Sequence, residues 1–292
     1  MEILKENTKG EFIYYVKDAL GKKNEAVKEK IKQLIIASNC EKLSFADLRS
    51  NTESILKDIK GKFFSSDFYK SMADDEKKAY ELLLGMMNTN TLLACAIHES
   101  SPGNNPMEKI KKFSEMLDKY GTLFTNCLPS GHDKAFSIGM YQLTERAARQ
   151  AHKFGKEIGV ETPISLTKYN SVNDHIKGAV LLNINNIVYL VNKAKSNKIA
   201  GGRNLSMLIE LLESNEAKNK GTFVAGIIGL MHNRPANYKY IMYFLENGNH
   251  RGDIVNNALQ TSFSSGIIRK RYFESVCRIY EQLTLGAVAM KQ

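Results

Sequence analysis

The sequence predicts a mainly α-helical protein with at most a small β element. Two observations carry this. Only five prolines interrupt 292 residues, and the chain is rich in Leu, Lys, Glu, Ala and Met, which favour helix. Apolar residues also recur every three or four positions along most of the chain, the period that puts them on one face of a helix. With 43% hydrophobic and 25% charged residues, the composition is that of an ordinary folded domain.

Taken in order, Val27, Ile31, Leu34 and Ile35 predict a helix over 24–38. A second runs over 44–59, with Ser44 as its cap and Asp47 three residues on. A third spans 74–87, burying Ala79, Leu82, Leu83, Met86 and Met87. Asn90 and Thr91 offer a cap for the apolar run Leu92–Ile97, which ends in His98-Glu99-Ser100-Ser101-Pro102-Gly103. An amphipathic helix follows over 107–120, then a loop over 121–135 marked by Pro129, Ser130, Gly131 and Asp133. Residues 136–143 are short and apolar with a central glycine. Thr144 caps a helix to 158, Ser171 or Asn173 a long one to 195, and another covers 204–212. The strongly apolar stretch 222–230 is interrupted at Pro235, a helix resumes over 237–245, and a last helical stretch extends over 254–285. No repeat or low-complexity linker is present. The reading divides the chain into an N-terminal helical part (1–88), a central part (89–250) and a C-terminal helical extension (251–292).

The formal charge of +10 attracts polyanions of any kind, whether nucleic acid, anionic membrane or a charged cell envelope. The lysines are spread along helices, and no nucleic-acid recognition motif is apparent. Residues 1–10 carry charges throughout and form no cleavable export leader, and no apolar run reaches membrane-spanning length. Cys40, Cys95, Cys127 and Cys277 are scattered without the spacing of a zinc site, so free buried thiols are expected, with one disulfide left open.

Four segments in order carry the chemistry: Ala96-Ile97-His98-Glu99-Ser100-Ser101; Phe136-Ser137-Ile138-Gly139-Met140-Tyr141-Gln142-Leu143; residues 173–182 with Gly178-Ala179; and Ile228-Gly229-Leu230-Met231-His232-Asn233-Arg234-Pro235. Together, over roughly residues 88–245, they resemble the lytic transglycosylase catalytic domain of the lysozyme-like superfamily. That family combines a helix ending in Glu-Ser, a Ser-x-Gly-Leu-Met-Gln-Leu loop, a helix with a small Gly-Ala pair and an Ala-Tyr-Asn motif.

The resemblance implies cleavage of the β-1,4 bond between N-acetylmuramic acid and N-acetylglucosamine in peptidoglycan. Glu99 would be the acid and then the base. Chemistry agrees with a glutamate there, because an acetal oxygen leaves only when protonated, by an acid set in apolar surroundings. A surface glutamate at a helix C-terminus is the plainer alternative, but its charge would oppose the helix dipole. Ser100 would bind substrate or fix the carboxylate. Gln142 carries the donor and acceptor that an N-acetyl or hydroxyl group needs, with Ser137, Met140 and Tyr141 beside it in the sugar groove, Met140 being the better core candidate. Gly178 and Ala179 serve helix packing.

Two departures from the family stand out. The tyrosine of the fourth motif is replaced by His232, with Asn233 retained. His232 either takes the hydrogen bond to Glu99, as a neutral tautomer, or is a satisfied core histidine, and Tyr238 is a candidate for the missing hydroxyl. The second departure is the extra helix over 107–120, a candidate groove wall. Asp133 in the loop after it is either a turn residue or a second carboxylate, as in the related goose-type lysozymes. A carboxylate facing Glu99 at roughly 6.5 to 9.5 Å would favour hydrolysis with inversion; without one, the transglycosylase route and its 1,6-anhydro product are favoured. A catalytically inactive binding protein on the same fold is the competing reading. No metal or organic cofactor is needed. The expected partner is the glycan strand, approached by a monomer outside the cytoplasmic membrane. The wall, in the periplasm or outside the cell, would be reached by phage-type release, by virion association, or with a leader trimmed from this sequence.

Overall fold

The computed structural model describes residues 43–101, 103, 105–120, 137–165, 168–169, 171–196, 203–263 and 267–286. The fold is mainly α. The helix expected over 24–38, the loop with Asp133, Cys40 and Cys127 lie outside these residues.

The described residues begin with α1 (Phe45–Ser65), α2 (Asp67–Lys70), α3 (Asp74–Met86), α4 (Thr89–Ser100) and α5 (Pro106–Tyr120). A hairpin of β1 (Ser137–Ile138) and β2 (Leu143–Thr144) precedes α6 (Glu145–Glu157), α7 (Val172–Ser196) and α8 (Asn204–Glu213). Then come β3 (Ala217–Lys218), α9 (Lys220–Asn233), a 3-10 turn (Pro235–Asn237), α10 (Tyr238–Asn247), β4 (Gly252–Asp253), α11 (Ile254–Thr261) and α12 (Ile267–Thr284). β1 and β2 pair antiparallel, Ser137 with Thr144 and Ile138 with Leu143, while β3 and β4 form a short parallel pair.

Caps fix several starts as the sequence suggests. Ser44 accepts the Asp47 amide, Thr144 the Ala147 amide, and Ser171, rather than Asn173, the Asp174 amide. For α4 the cap is Asn88, in a reciprocal box with Thr91, so the helix starts ahead of the expected Asn90-Thr91. It also runs on through His98 and Glu99 to Ser100. The last helical stretch divides in two, with Ser262 and Phe263 following the first of the two helices outside regular structure.

Three helices, α4, α7 and α9, are apolar nearly all round and form the centre of one continuous core, as expected for helices covered on every side. α12 lies against α9 and α4; α1 and α6 pack on α7, and α8 packs on α3. Glycine spacing explains how α12 approaches so closely. A Cβ at Gly226 would come within 2.6 Å of the Phe273 ring, and one at Gly229 within 2.8 Å of Val276. Side chains then register α4 against α12 in opposite directions: Asn88 donates to Tyr280 Oη (3.0 Å), and His98 Nδ1 meets Ser275 Oγ (2.8 Å). The C-terminal helix thereby reaches the end of α4, where Glu99 stands.

Cys95 and Cys277 are free and buried. Among the described residues, no helix is long and apolar enough to cross a membrane.

Candidate active site

Glu99 lies in the last turn of α4, half-buried, at the wall of a cleft of about 640 Å³, a volume typical of small-ligand sites. The cleft is lined further by Gln142 after the hairpin turn, Arg146 and Gln150 on α6, Asn185 and Tyr189 on α7, and the His232–Ala236 segment that ends α9. Among the described residues of this lining, Glu99 is the single carboxylate.

The hydroxyl that grips Glu99 comes from α12: Tyr272 Oη donates to Glu99 Oε1. Burial and the neighbouring Glu99 charge raise the Tyr272 pKa well above its ordinary value, so this phenol stays a donor. Tyr272 does not line the cleft, and so holds the carboxyl from the protein side, leaving Oε2 without a hydrogen bond among the described residues. The Tyr272 ring sits 4.0 Å from the His98 ring, centroid to centroid. Burial, and secondarily Lys109, lowers the His98 pKa to about 3 and keeps the imidazole neutral. Lys109 itself donates to the Ser101 carbonyl at 3.1 Å, a cation at the end of α4 where the helix dipole favours one. Its pKa is lowered by burial, against the opposing pull of Glu99 and Glu108.

The remaining motif residues build the Gln142 loop. Ser100, fully buried, donates to the Met140 carbonyl. His232 Nε2 lies 2.8 Å from the Tyr141 carbonyl, and its Nδ1 lies 3.1 Å from the Asn183 amide oxygen. Both ring nitrogens are thereby engaged, one on the loop and one on α7. Gln142 closes the turn by donating from both its backbone N (2.9 Å) and its Nε2 (3.0 Å) to the Gly139 carbonyl. Its φ is +48°, left-handed for a residue with a Cβ, a conformation that persists only where surroundings enforce it. Ser100 and His232 supply that enforcement, each clamping a carbonyl of the preceding two residues.

Several expectations are therefore corrected. Ser100 touches neither substrate space nor the carboxylate. Met140 and Tyr141 point into the core, both fully buried, because the tight turn between β1 and β2 leaves only Gln142 facing the cleft. His232 lines the cleft but spends both ring nitrogens on the loop and Asn183, and does not bond Glu99. Tyr238 does not replace the missing hydroxyl; it packs edge-on against Tyr189 at 5.5 Å. Asn233 is exposed at the cleft. Ser137 lies in β1, its side chain outside the described part, and Asp133 lies outside it altogether. Gly178 is where the Tyr169 ring leans on α7; a Cβ there would sit 2.7 Å from that ring.

No family model, curated protein or solved structure matches this chain.

Sequence reasoning missed Tyr272, Arg146, Arg234 and Tyr189. Nothing local marks Tyr272, whose partner is 173 positions away. Two of the three glycines of α9, Gly226 and Gly229, were the available hint that another helix comes close there.

Proposed function

We propose that this chain cleaves glycan strands of bacterial peptidoglycan at the β-1,4 bond following N-acetylmuramic acid, as a lytic transglycosylase with Glu99 as its acid and base. The observation that carries the reading is a carboxyl group at the end of a buried helix, in a cleft, held on one oxygen by a phenol that remains protonated. Such a carboxyl has one oxygen fixed and the other available for proton transfer. Protonated Glu99 would deliver its proton from Oε2 to the glycosidic oxygen as the C1–O bond breaks. The resulting carboxylate then faces the oxocarbenium-like sugar and takes the proton of the C6 hydroxyl as that oxygen bonds to C1. A single carboxyl suffices for this sequence, in keeping with the lone carboxylate of the described lining. Gln142, locked by its clamped turn, and Asn233 are the groups placed to hold sugar amides and hydroxyls.

The reading of the fold as a binding protein drew its motive from the replaced tyrosine of the fourth motif. Tyr272 supplies a hydroxyl from elsewhere, and His232 has work of its own, so that motive falls away.

Mass spectrometry of products released from purified peptidoglycan tests the proposal. Anhydro-ended muropeptides from the intact chain that vanish with Glu99→Gln are expected. Reducing-end products would shift the assignment to hydrolysis and put Asp133 forward as the partner carboxylate. No product, where a control enzyme works, would overturn the enzymatic reading.

A further inference from the structure

Two guanidinium groups, Arg146 and Arg234, line the same cleft from different elements, and neither has an ion-pair partner among the described residues. Arg146 is not explained by the helix it belongs to. Arg146 lies in the first turn of α6, where the helix dipole disfavours a cation. Its neighbour Glu145 pairs with Arg149 instead, at 3.2 Å. Arg234 follows α9, where the helix dipole favours a cation, while Asn186 already donates to the Met231 carbonyl (3.1 Å) and Asn237 to the Leu230 carbonyl (2.9 Å). Both arginines are exposed. Against them the described lining sets one carboxylate, Glu99, which is engaged by Tyr272. The cleft is thus built with cationic forks to spare, and such forks match carboxylates in a bidentate way.

We propose that Arg146 and Arg234 are specificity residues that receive carboxylate groups of the bound strand, so that the cleft selects acidic glycans over neutral ones of the same backbone. This rests on the reading of the cleft as a glycan site. The carboxylates of peptidoglycan come from two sources, the lactyl group of a peptide-free muramic acid and the stem peptide.

Isothermal titration calorimetry on the full chain carrying Glu99→Gln, which blocks turnover, separates the possibilities. The probes are peptide-free strands, peptide-bearing strands and a neutral chitin oligosaccharide. Arg146→Gln and Arg234→Gln are each expected to weaken binding of acidic strands about tenfold and to leave the chitin oligosaccharide unchanged. An effect confined to peptide-bearing strands assigns the carboxylate to the stem; an effect already present on peptide-free strands assigns it to the lactyl group. Equal loss on all three probes, no loss on any, or no binding of any strand overturns the proposal. So does an equal loss from Lys111→Gln, an exposed lysine outside the cleft, which would reduce the effect to the overall charge. The product assay with Glu99 intact is scored separately: arginine-dependent binding without cleavage would sink the reaction and keep the carboxylate site, and cleavage without arginine dependence would do the reverse.

Discussion

At the end of α4 the Glu99 carboxyl, whose place after an apolar run is visible in the sequence, is held by the Tyr272 phenol, which no local signal marks because it depends on how α12 docks, and the two residues make a separable prediction. Tyr272→Phe keeps the ring against His98 and removes only the hydroxyl that donates to Glu99. A hydrogen bond to a charged group contributes about 1.5–3 kcal/mol, so kcat is expected to fall roughly ten- to a hundredfold. Because Tyr272 is not part of the cleft lining, KM should hardly move. Steady-state kinetics on soluble strands decide it; an unchanged kcat would mean that the Glu99 carboxyl does not depend on this phenol. His232 teaches the converse lesson. Its place in a motif suggested contact with the acid, whereas its Nε2 meets the neighbouring loop and its Nδ1 meets Asn183 on α7, a distinction that only the partners' positions could make.

At the scale of elements, the helices were readable wherever a polar cap met an apolar period, as at Ser44 and Thr144. Reading failed where two polar residues competed, as at Asn88 and Asn90, or where a helical stretch divides without a proline, as before α12. The hairpin was only partly legible: the sequence showed a short apolar octet with a central glycine, but neither the strand pairing nor which side chains the turn would bury. Gly139 is the turn's necessity, with φ +81° and a would-be Cβ 2.5 Å from His175 Nδ1. Gly139→Ala should therefore cost roughly 2 kcal/mol of stability and displace Gln142, weakening glycan binding as well. Ser100→Ala, which strands the buried Met140 carbonyl, should cost about 1–3 kcal/mol with its effect on glycan binding following only through Gln142. Urea denaturation measures both, and wild-type stability in Ser100→Ala would remove the clamp from the account of the site.

For the whole molecule, composition conveyed the helical class and the cationic surface, but not which ionisable groups folding would hide. His98 is half-buried and His175 buried, and desolvation lowers their pKa from 6.5 to about 3 and about 4 respectively. His175, its Nδ1 unpartnered, has only Asp174 pulling the other way. As pH falls below 6.5 the unfolded chain takes up these protons while the native protein does not. The unfolded state binds more protons throughout that window, so stability must decline with falling pH. Lys60, on α1, acts with the same sign at higher pH: it donates to the Met87 carbonyl, and burial lowers its pKa from 10.5 to about 8, so stability rises between those values. Above about 10 the trend reverses, because the buried phenols of Tyr80, Tyr141 and Tyr272 have pKa values raised above 10 and keep protons that the unfolded chain releases. Thermal unfolding followed between pH 7 and pH 5, mostly above the range where ordinary carboxylates titrate, should show Tm falling steadily with acidification, with proton uptake on unfolding at pH 5.5. A flat Tm across that interval would show that the two imidazoles are not held neutral, and would remove the packing of Tyr272 on a neutral His98 from the description of how Glu99 is held.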